Sequence, residues 1–116
     1  MSESTLIELD QFEQLKELMG DEFDMLVEIY QKNSQKLLSD MQDAFVSSDA
    51  KLGRISAHSL KSSSASFGLL SLCEQAKKIE EAWYEGVTPS DEDMDLIEQM
   101  LKGSLNAINL AMIDKD

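Results

Sequence analysis

Residues 57 to 68 read "AHSLKSSSASFG" and hold the one histidine of the chain, His58. The stretch contains small and apolar residues without proline, and Gly68 stands where a glycine typically ends a helix. On a helix with about 3.6 residues per turn, Leu60 and Phe67 fall on one side and His58 on the other. The spacing therefore predicts a helix whose apolar side packs in a core and whose histidine faces solvent.

Helical periodicity continues on both sides of this stretch, and no segment alternates as a half-buried strand would. Apolar residues at steps of three, four or seven predict a long preceding helix, and they are Leu26, Ile29, Tyr30, Leu37, Met41, Ala44 and Phe45. A following helix is predicted from about Leu69 to Tyr84. The clearest loop reads "EGVTPSDED" (residues 85–93), in which Ser90 is placed to cap a last helix.

Capping residues indicate where the other helices begin and end. Asp10 and Glu13 favour the start of a short first helix, and Gly20 its end. Asp49 is a good N-cap for the helix that carries His58. Together these signals predict an all-α fold, an antiparallel four-helix bundle with a short additional N-terminal helix across one end. We expect residues 1–116 to form a single domain whose core covers about residues 9–112.

Composition excludes several classes of function. The chain has 116 residues, is 42% hydrophobic and carries a formal net charge of −13, which argues against nucleic acid and anionic membranes as partners. No apolar run approaches the ~20 residues of a membrane span. The N-terminal "MSESTLIELD" lacks the features of a signal peptide, so we expect a cytoplasmic protein. One histidine and one cysteine cannot supply the usual ligands of a metal, so we expect neither metal nor cofactor.

The charge pattern around His58 differs from that of the chain. Residues 51–73 contain three basic side chains and no acidic one. One helix face is predicted to carry Lys51, Arg54, His58, Lys61, Ser62 and Ala65. Two interpretations stay open at this point: an incidental surface histidine on a patchy helix, or an imidazole that meets an anion and is reached by a large partner. The flanking cations and the small residue one turn beyond His58 favour the second.

The stretch "AHSLKSSSASFG" followed by "LLSLCEQAKKIE" (residues 69–80) resembles the signature of histidine-containing phosphotransfer (Hpt) domains. The positions that follow the family pattern are Ala57, His58, Leu60, Lys61, Ser63, Ser64, Phe67, Gly68, Leu72 and Glu80. Residues 22–53 are similar to the helix that precedes this signature in the family. The resemblance covers roughly residues 9 to 112. One position departs from the pattern, because Ser62 stands where the family has glycine.

The resemblance implies a phosphorelay intermediate. In the family, the exposed histidine accepts a phosphoryl group from the aspartate of one receiver domain and passes it to another. This assigns His58 as the phosphorylated residue, Lys61 as a contact of the phosphoryl oxygens and Arg54 as electrostatic support. The residues expected to give access or to contact the partner are Ser62, Ser59, Ala65 and Gly68.

The expected partners are receiver domains of response regulators, of hybrid sensor kinases, or of both, and a Mg²⁺ ion would be bound by the receiver. We expect a monomer. The sequence has no nucleotide-binding loop and no kinase signature, which favours a phosphocarrier over an enzyme. An alternative of another class is a helical adaptor that binds partner proteins without phosphotransfer and in which His58 is incidental.

Overall fold

The structure, a computed structural model, describes residues 6–113 as a set of α-helices without a strand in this range. The helices are α1 (Leu9–Met19), α2 (Phe23–Ser47), α3 (Ala50–Ser66), α4 (Leu70–Tyr84) and α5 (Asp91–Ile113). A single 3-10 turn, Gly20–Glu22, joins α1 to α2. The predicted all-α class is confirmed. None of these helices combines the length and the apolar character that crossing a membrane would require.

Short connections determine the topology of the bundle. Two or three residues join α2 to α3 and α3 to α4, so consecutive helices run antiparallel and pack side by side. The contact between α3 and α4 is the most extensive, and α5 packs against both α4 and α2, which closes the four-helix bundle. The predicted bundle with a short extra helix at its N-terminal end is therefore confirmed.

Helix α1 lies across the end of the bundle where α3 terminates. The backbone N–H of Glu8 donates to the carbonyl of Gly68 at 2.7 Å, and the amide of Gln11 donates to the carbonyl of Ala65 at 2.5 Å. The ring of Phe12 meets Phe23 edge-on, with centroids 5.3 Å apart. Gly68 has a φ of +77°, and a Cβ there would lie 2.8 Å from the Glu8 carbonyl oxygen. Glycine at this position is thus required both by the turn and by the contact with α1.

The helix caps follow the predictions in part. Asp49 accepts a hydrogen bond from the Leu52 N–H at 3.1 Å, and the Ser90 hydroxyl accepts one from the Asp93 N–H at 3.0 Å, as predicted. The predicted start of α1 was wrong by one or two residues. Glu8 is the N-cap, its carboxylate accepts from the N–H of Asp10, and Asp10 is therefore already inside the helix.

The core lies between the inward faces of the bundle helices and the ring of Phe12 on α1. Its fully buried side chains include Phe12, Met41, Leu60, Leu72, Ile79, Ile97, Leu101 and Ile108. The Tyr30 hydroxyl shares a buried hydrogen bond of 2.7 Å with Ser64, and burial raises the pKa of Tyr30. Ile29 was predicted to belong to the core stripe of α2, but it is 55% exposed because it points outward beside Tyr30.

Small residues let α3 approach α4 closely. Gly53 and Ala57 are buried on α3. The indole of Trp83 occupies the space in which a side chain of residue 53 would lie, because a Cβ built on Gly53 would be only 2.5 Å from Cε2 of that ring. Residue 53 must therefore be glycine for the two helix axes to keep this separation.

Gly53→Ala tests this close approach. Alanine is the better helix former by about 1 kcal/mol, but the rigid indole cannot yield to the new methyl group, so we expect a net loss of roughly 1–3 kcal/mol in the free energy of unfolding. Urea unfolding, followed by circular dichroism, measures this change in the free energy of unfolding. The matched control is Gly103→Ala in α5, where the added Cβ would meet only the flexible Cδ1 of Leu6. Equal unfolding midpoints for the two variants would contradict the proposed role of Gly53.

Candidate functional site

His58 lies in the middle of α3 on its outward face. Its side chain is 59% exposed, whereas its neighbours Ala57 and Leu60 are fully buried. The helical spacing predicts this orientation, because residues 57 and 60 face the core while residue 58 turns away from it. The imidazole is therefore held by a rigid helix and is open to a large partner.

Glu80 of α4 is the central partner of this histidine. Its Oε2 lies 2.8 Å from His58 Nδ1, and its Oε1 lies 2.7 Å from Lys61 Nζ. The carboxylate thus bridges two α3 side chains that are separated by one helical turn. Its side chain is only 18% exposed, while that of Lys61 is 27% exposed. Ile79 and Trp83, which are buried on either side of it in the sequence, fix the rotation of α4 that directs Glu80 toward α3.

The charges of this cluster follow from its contacts. Partial burial acts to raise the pKa of Glu80, but the hydrogen bonds from Lys61 and His58 outweigh burial, so the pKa of Glu80 lies below its usual value. The hydrogen bond to Glu80 in turn raises the pKa of Lys61. Both groups are therefore ionised at neutral pH.

The ionised carboxylate also decides which ring nitrogen of His58 carries the proton. A carboxylate can only accept hydrogen bonds, so Nδ1 must donate to Glu80. In the neutral imidazole the proton on Nδ1 leaves the lone pair on Nε2. The exposed imidazole therefore offers Nε2 as a nucleophile, with a negative charge at the far side of the ring.

Arg54 belongs to a different contact on the same face. Its guanidinium carbon lies 5.8 Å from the ring centroid of Tyr84, within reach of a cation–π interaction. Within residues 6–113 it forms no ion pair with a carboxylate. Its positive charge is consequently available to a group that approaches His58.

The structure brings most of the residues predicted for this face together. Ser62 is exposed, and Ser59 and Ala65 are partly exposed on the turns around His58. Gly68 does not join them. It is buried under Glu8 at the end of α3, so the prediction that it gives access to the site is corrected: its role is to end the helix and receive α1.

Glu80 is the site residue whose role sequence reasoning missed. The predicted face was purely cationic, because residues 51–73 contain no acid. The acid comes from the next helix, 22 residues beyond His58. The one signal in the sequence was that Glu80 matches the family pattern. That match does not show that Glu80 contacts His58. In the described part of the chain, no group of three or more His, Cys, Asp or Glu side chains is arranged to hold a metal ion.

Comparisons with known proteins bear on the family and the fold of the chain. The sequence model of the family described as Hpt domain matches residues 25–107. The fold is similar to the crystal structure of histidine-containing phosphotransfer protein B (HptB) from Pseudomonas aeruginosa PAO1, with a TM-score of 0.84 and 22% sequence identity, over 92% of this chain and 95% of that chain. At this identity the likeness shows a shared fold. No curated protein sequence matches the chain.

The His58–Glu80 contact predicts a defined tautomer. Because the chain has one histidine, ¹⁵N NMR of the imidazole gives a single pair of ring signals, and we expect a protonated Nδ1 and an unprotonated Nε2 in the neutral ring. Glu80→Ala should shift the tautomer equilibrium toward a protonated Nε2. Glu80→Gln keeps an acceptor oxygen and should keep the tautomer. A protonated Nε2 in the unaltered protein would contradict the assignment.

Proposed function

Because the chain belongs to the Hpt domain family, we propose that it is a phosphorelay intermediate in which His58 accepts a phosphoryl group from the aspartyl phosphate of a receiver domain and passes it to another receiver. One observation carries this proposal. The hydrogen bond of 2.8 Å between His58 Nδ1 and Glu80 leaves the lone pair of Nε2 on the exposed face of α3. This is the atom that an incoming phosphorus must reach.

The transfer step balances without another reactant in this chain. The Nε2 lone pair forms the N–P bond while the acyl P–O bond breaks, and the electron pair of that bond stays on the receiver's carboxylate. The imidazole keeps its proton on Nδ1 and gains a positive charge, which faces the Glu80 carboxylate. Charge stabilisation and positioning dominate in phosphoryl transfer, because its transition state is loose. The reverse sequence delivers the group to the next receiver.

Three side chains support this step in different ways. Glu80 is a positioning residue, since it orients the ring through Nδ1 and stabilises the imidazolium. Lys61 is held by Glu80 beside the ring and provides a positive charge near the phosphoryl oxygens. Arg54 adds positive charge on the preceding turn. The negative charge of Glu80 thus serves the ring, while the cations serve the phosphoryl group.

The surface beside His58 supports docking of a whole receiver domain. Ser59, Ser62 and Ala65 leave the ring uncovered. Toward α2, a groove of about 260 Å³ is lined by apolar side chains that include Ile29 and Leu26 and by Ser66 of α3. An apolar surface next to a charged centre suits a partner that must be held for transfer and then released.

The remaining parts of the proposal follow from the carrier role. The chain is a phosphocarrier, and the Mg²⁺ that assists transfer would belong to the receiver. We propose that it acts as a cytoplasmic monomer whose partners are receiver domains of response regulators, of hybrid sensor kinases, or of both. The alternative is an adaptor that binds partner proteins without phosphotransfer. The next experiment distinguishes the two functions.

His58→Gln tests the phosphorylated residue. Incubation with a phosphorylated receiver domain should add one acid-labile phosphoryl group to the unaltered protein, read by intact mass, and none to the variant. Circular dichroism should be nearly unchanged, because substitution at an exposed site seldom costs more than ~0.5 kcal/mol. Label that persists in the variant would refute the assignment of His58. Absence of label from every receiver tested would favour the adaptor.

Ser62 allows a steric test of access, because it follows His58 by one turn on the same face. Ser62→Gly should keep or raise the rate of transfer and lower the free energy of unfolding by roughly 0.5 kcal/mol, since glycine is the poorer helix former. Ser62→Gln should strongly slow transfer, because its longer side chain extends over Nε2. Circular dichroism should stay native in both variants. A Gln variant that transfers as fast as the unaltered protein would show that steric clearance is not the reason for a small residue here.

A further inference from the structure

A surface depression of about 330 Å³ borders His58 on the side away from the groove at α2. It is lined by Arg54, Ile55, His58, Ser59, Glu80 and Tyr84. Two of these side chains are apolar and strongly exposed: Ile55 is 51% exposed and Tyr84 is 72% exposed. Isolated apolar side chains on a surface are ordinary, but these two line one depression together with the phosphoacceptor.

The depression is organised by contacts within the chain. The guanidinium of Arg54 stacks over the Tyr84 ring at 5.8 Å and restrains the last residue of α4. Ile55 is fixed by α3, three residues before His58. Glu80 forms the floor beside His58, and its charge is already engaged by Lys61 and the imidazole. The free charge at the rim is therefore the positive charge of Arg54.

A partner that transfers phosphate to Nε2 must cover this depression. Protein interfaces bury about 800 Å² on each partner, whereas three or four residues of helix span only about 5–6 Å. Arg54 and Ile55 lie within that distance of His58, so they fall inside any such footprint. The volume suits one branched or aromatic side chain, and Arg54 suits a carboxylate next to it.

We propose that Ile55, Tyr84 and Arg54 form a specificity pocket, which accepts one apolar side chain of the receiver domain and pairs an adjacent acidic residue of that domain with Arg54. This inference rests on the proposed phosphotransfer function. The pocket selects among receivers by the residues that flank their phosphoaspartate, while His58, Glu80 and Lys61 carry out a step common to all of them. Receivers with a polar or basic residue at the inserted position would be poor donors.

The test separates docking from chemistry by using two phosphoryl donors. The first is the phosphorylated receiver domain that transfers fastest to the unaltered protein, and the second is phosphoramidate, which is too small to need the pocket. Ile55→Ala and Tyr84→Ala should each raise the KM for the receiver roughly five- to twentyfold, with kcat changed less than about twofold. Arg54→Gln should raise KM and reduce its dependence on salt. Phosphorylation by phosphoramidate should proceed at the unaltered rate in Ile55→Ala and Tyr84→Ala, because neither residue has a role in the transfer step; Arg54→Gln is compared with the receiver only, since Arg54 also supplies charge for that step.

Leu110→Ala is the matched control, because Leu110 is an apolar residue of similar exposure on α5, a helix that does not pack on α3 to any notable extent. It should leave both reactions unchanged. Receiver KM values within twofold of the unaltered protein for Ile55→Ala and Tyr84→Ala would overturn the pocket and leave the proposed function intact. An unaltered protein that accepts phosphate from phosphoramidate but from no receiver would overturn both. Slower reaction of Ile55→Ala or Tyr84→Ala with phosphoramidate would also overturn the pocket, because these two residues would then act on the chemistry.

Discussion

The separation of α3 and α4 is the constraint on which the site depends. It is set where Gly53 faces the indole of Trp83, since any side chain at residue 53 would overlap the ring. Only with the helices this close can the short carboxylate of Glu80 reach His58 Nδ1 at 2.8 Å and Lys61 Nζ at 2.7 Å. A larger helix separation would lengthen the His58 contact first, because the imidazole is short and rigid whereas the Lys61 side chain can extend. Packing in the core thus determines the electronic state of a ring on the surface.

The charge of the site is the product of two helices. Helix α3 supplies the cations Arg54 and Lys61, in a segment without acids, and α4 supplies the carboxylate of Glu80. The three charges are not equivalent in position. The carboxylate lies on the Nδ1 side of the ring, where it favours the imidazolium, and the Lys61 ammonium pairs with that same carboxylate, whereas the Arg54 guanidinium lies on the preceding turn over the Tyr84 ring. Repulsion of an approaching anion by the distant carboxylates of this acidic chain is screened over about 8–10 Å, whereas Arg54 and Lys61 lie within about one helical turn of His58.

The fold was largely predictable, because its determinants are local. Periodic apolar residues, the caps Asp49 and Ser90, and Gly68 are signals within one helix or at its ends, and each is visible in the sequence. The predictions were wrong where a contact with a neighbouring helix determines which residue caps a helix or which side chain is buried. Glu8 replaces Asp10 as the cap of α1 because residue 8 is held against Gly68, and Ile29 is exposed because α2 turns Tyr30 toward Ser64. The contact of Glu80 with His58 depends on the register and distance of two packed helices, which periodicity within either helix does not specify.

The cluster of His58, Lys61 and Glu80 is exposed enough that it would stabilise a phosphorylated His58 only weakly. A phosphocarrier needs this, because it must also release the phosphoryl group. Every 1.4 kcal/mol of stabilisation given to the phosphorylated ring changes the equilibrium with a receiver tenfold. A fully buried ion pair could make phosphohistidine a trap, because the partners of buried charges contribute several kcal/mol. Here the side chain of His58 is 59% exposed and that of Lys61 27%, so solvent screens their interaction with Glu80. The contact with Glu80 orients the ring through Nδ1; in the proposed transfer this orientation would favour both directions of the reaction, while the screened contact would change the equilibrium little. An exposed imidazole with one half-buried carboxylate behind it is thus suited to reversible transfer in a way that a deeper site would not be.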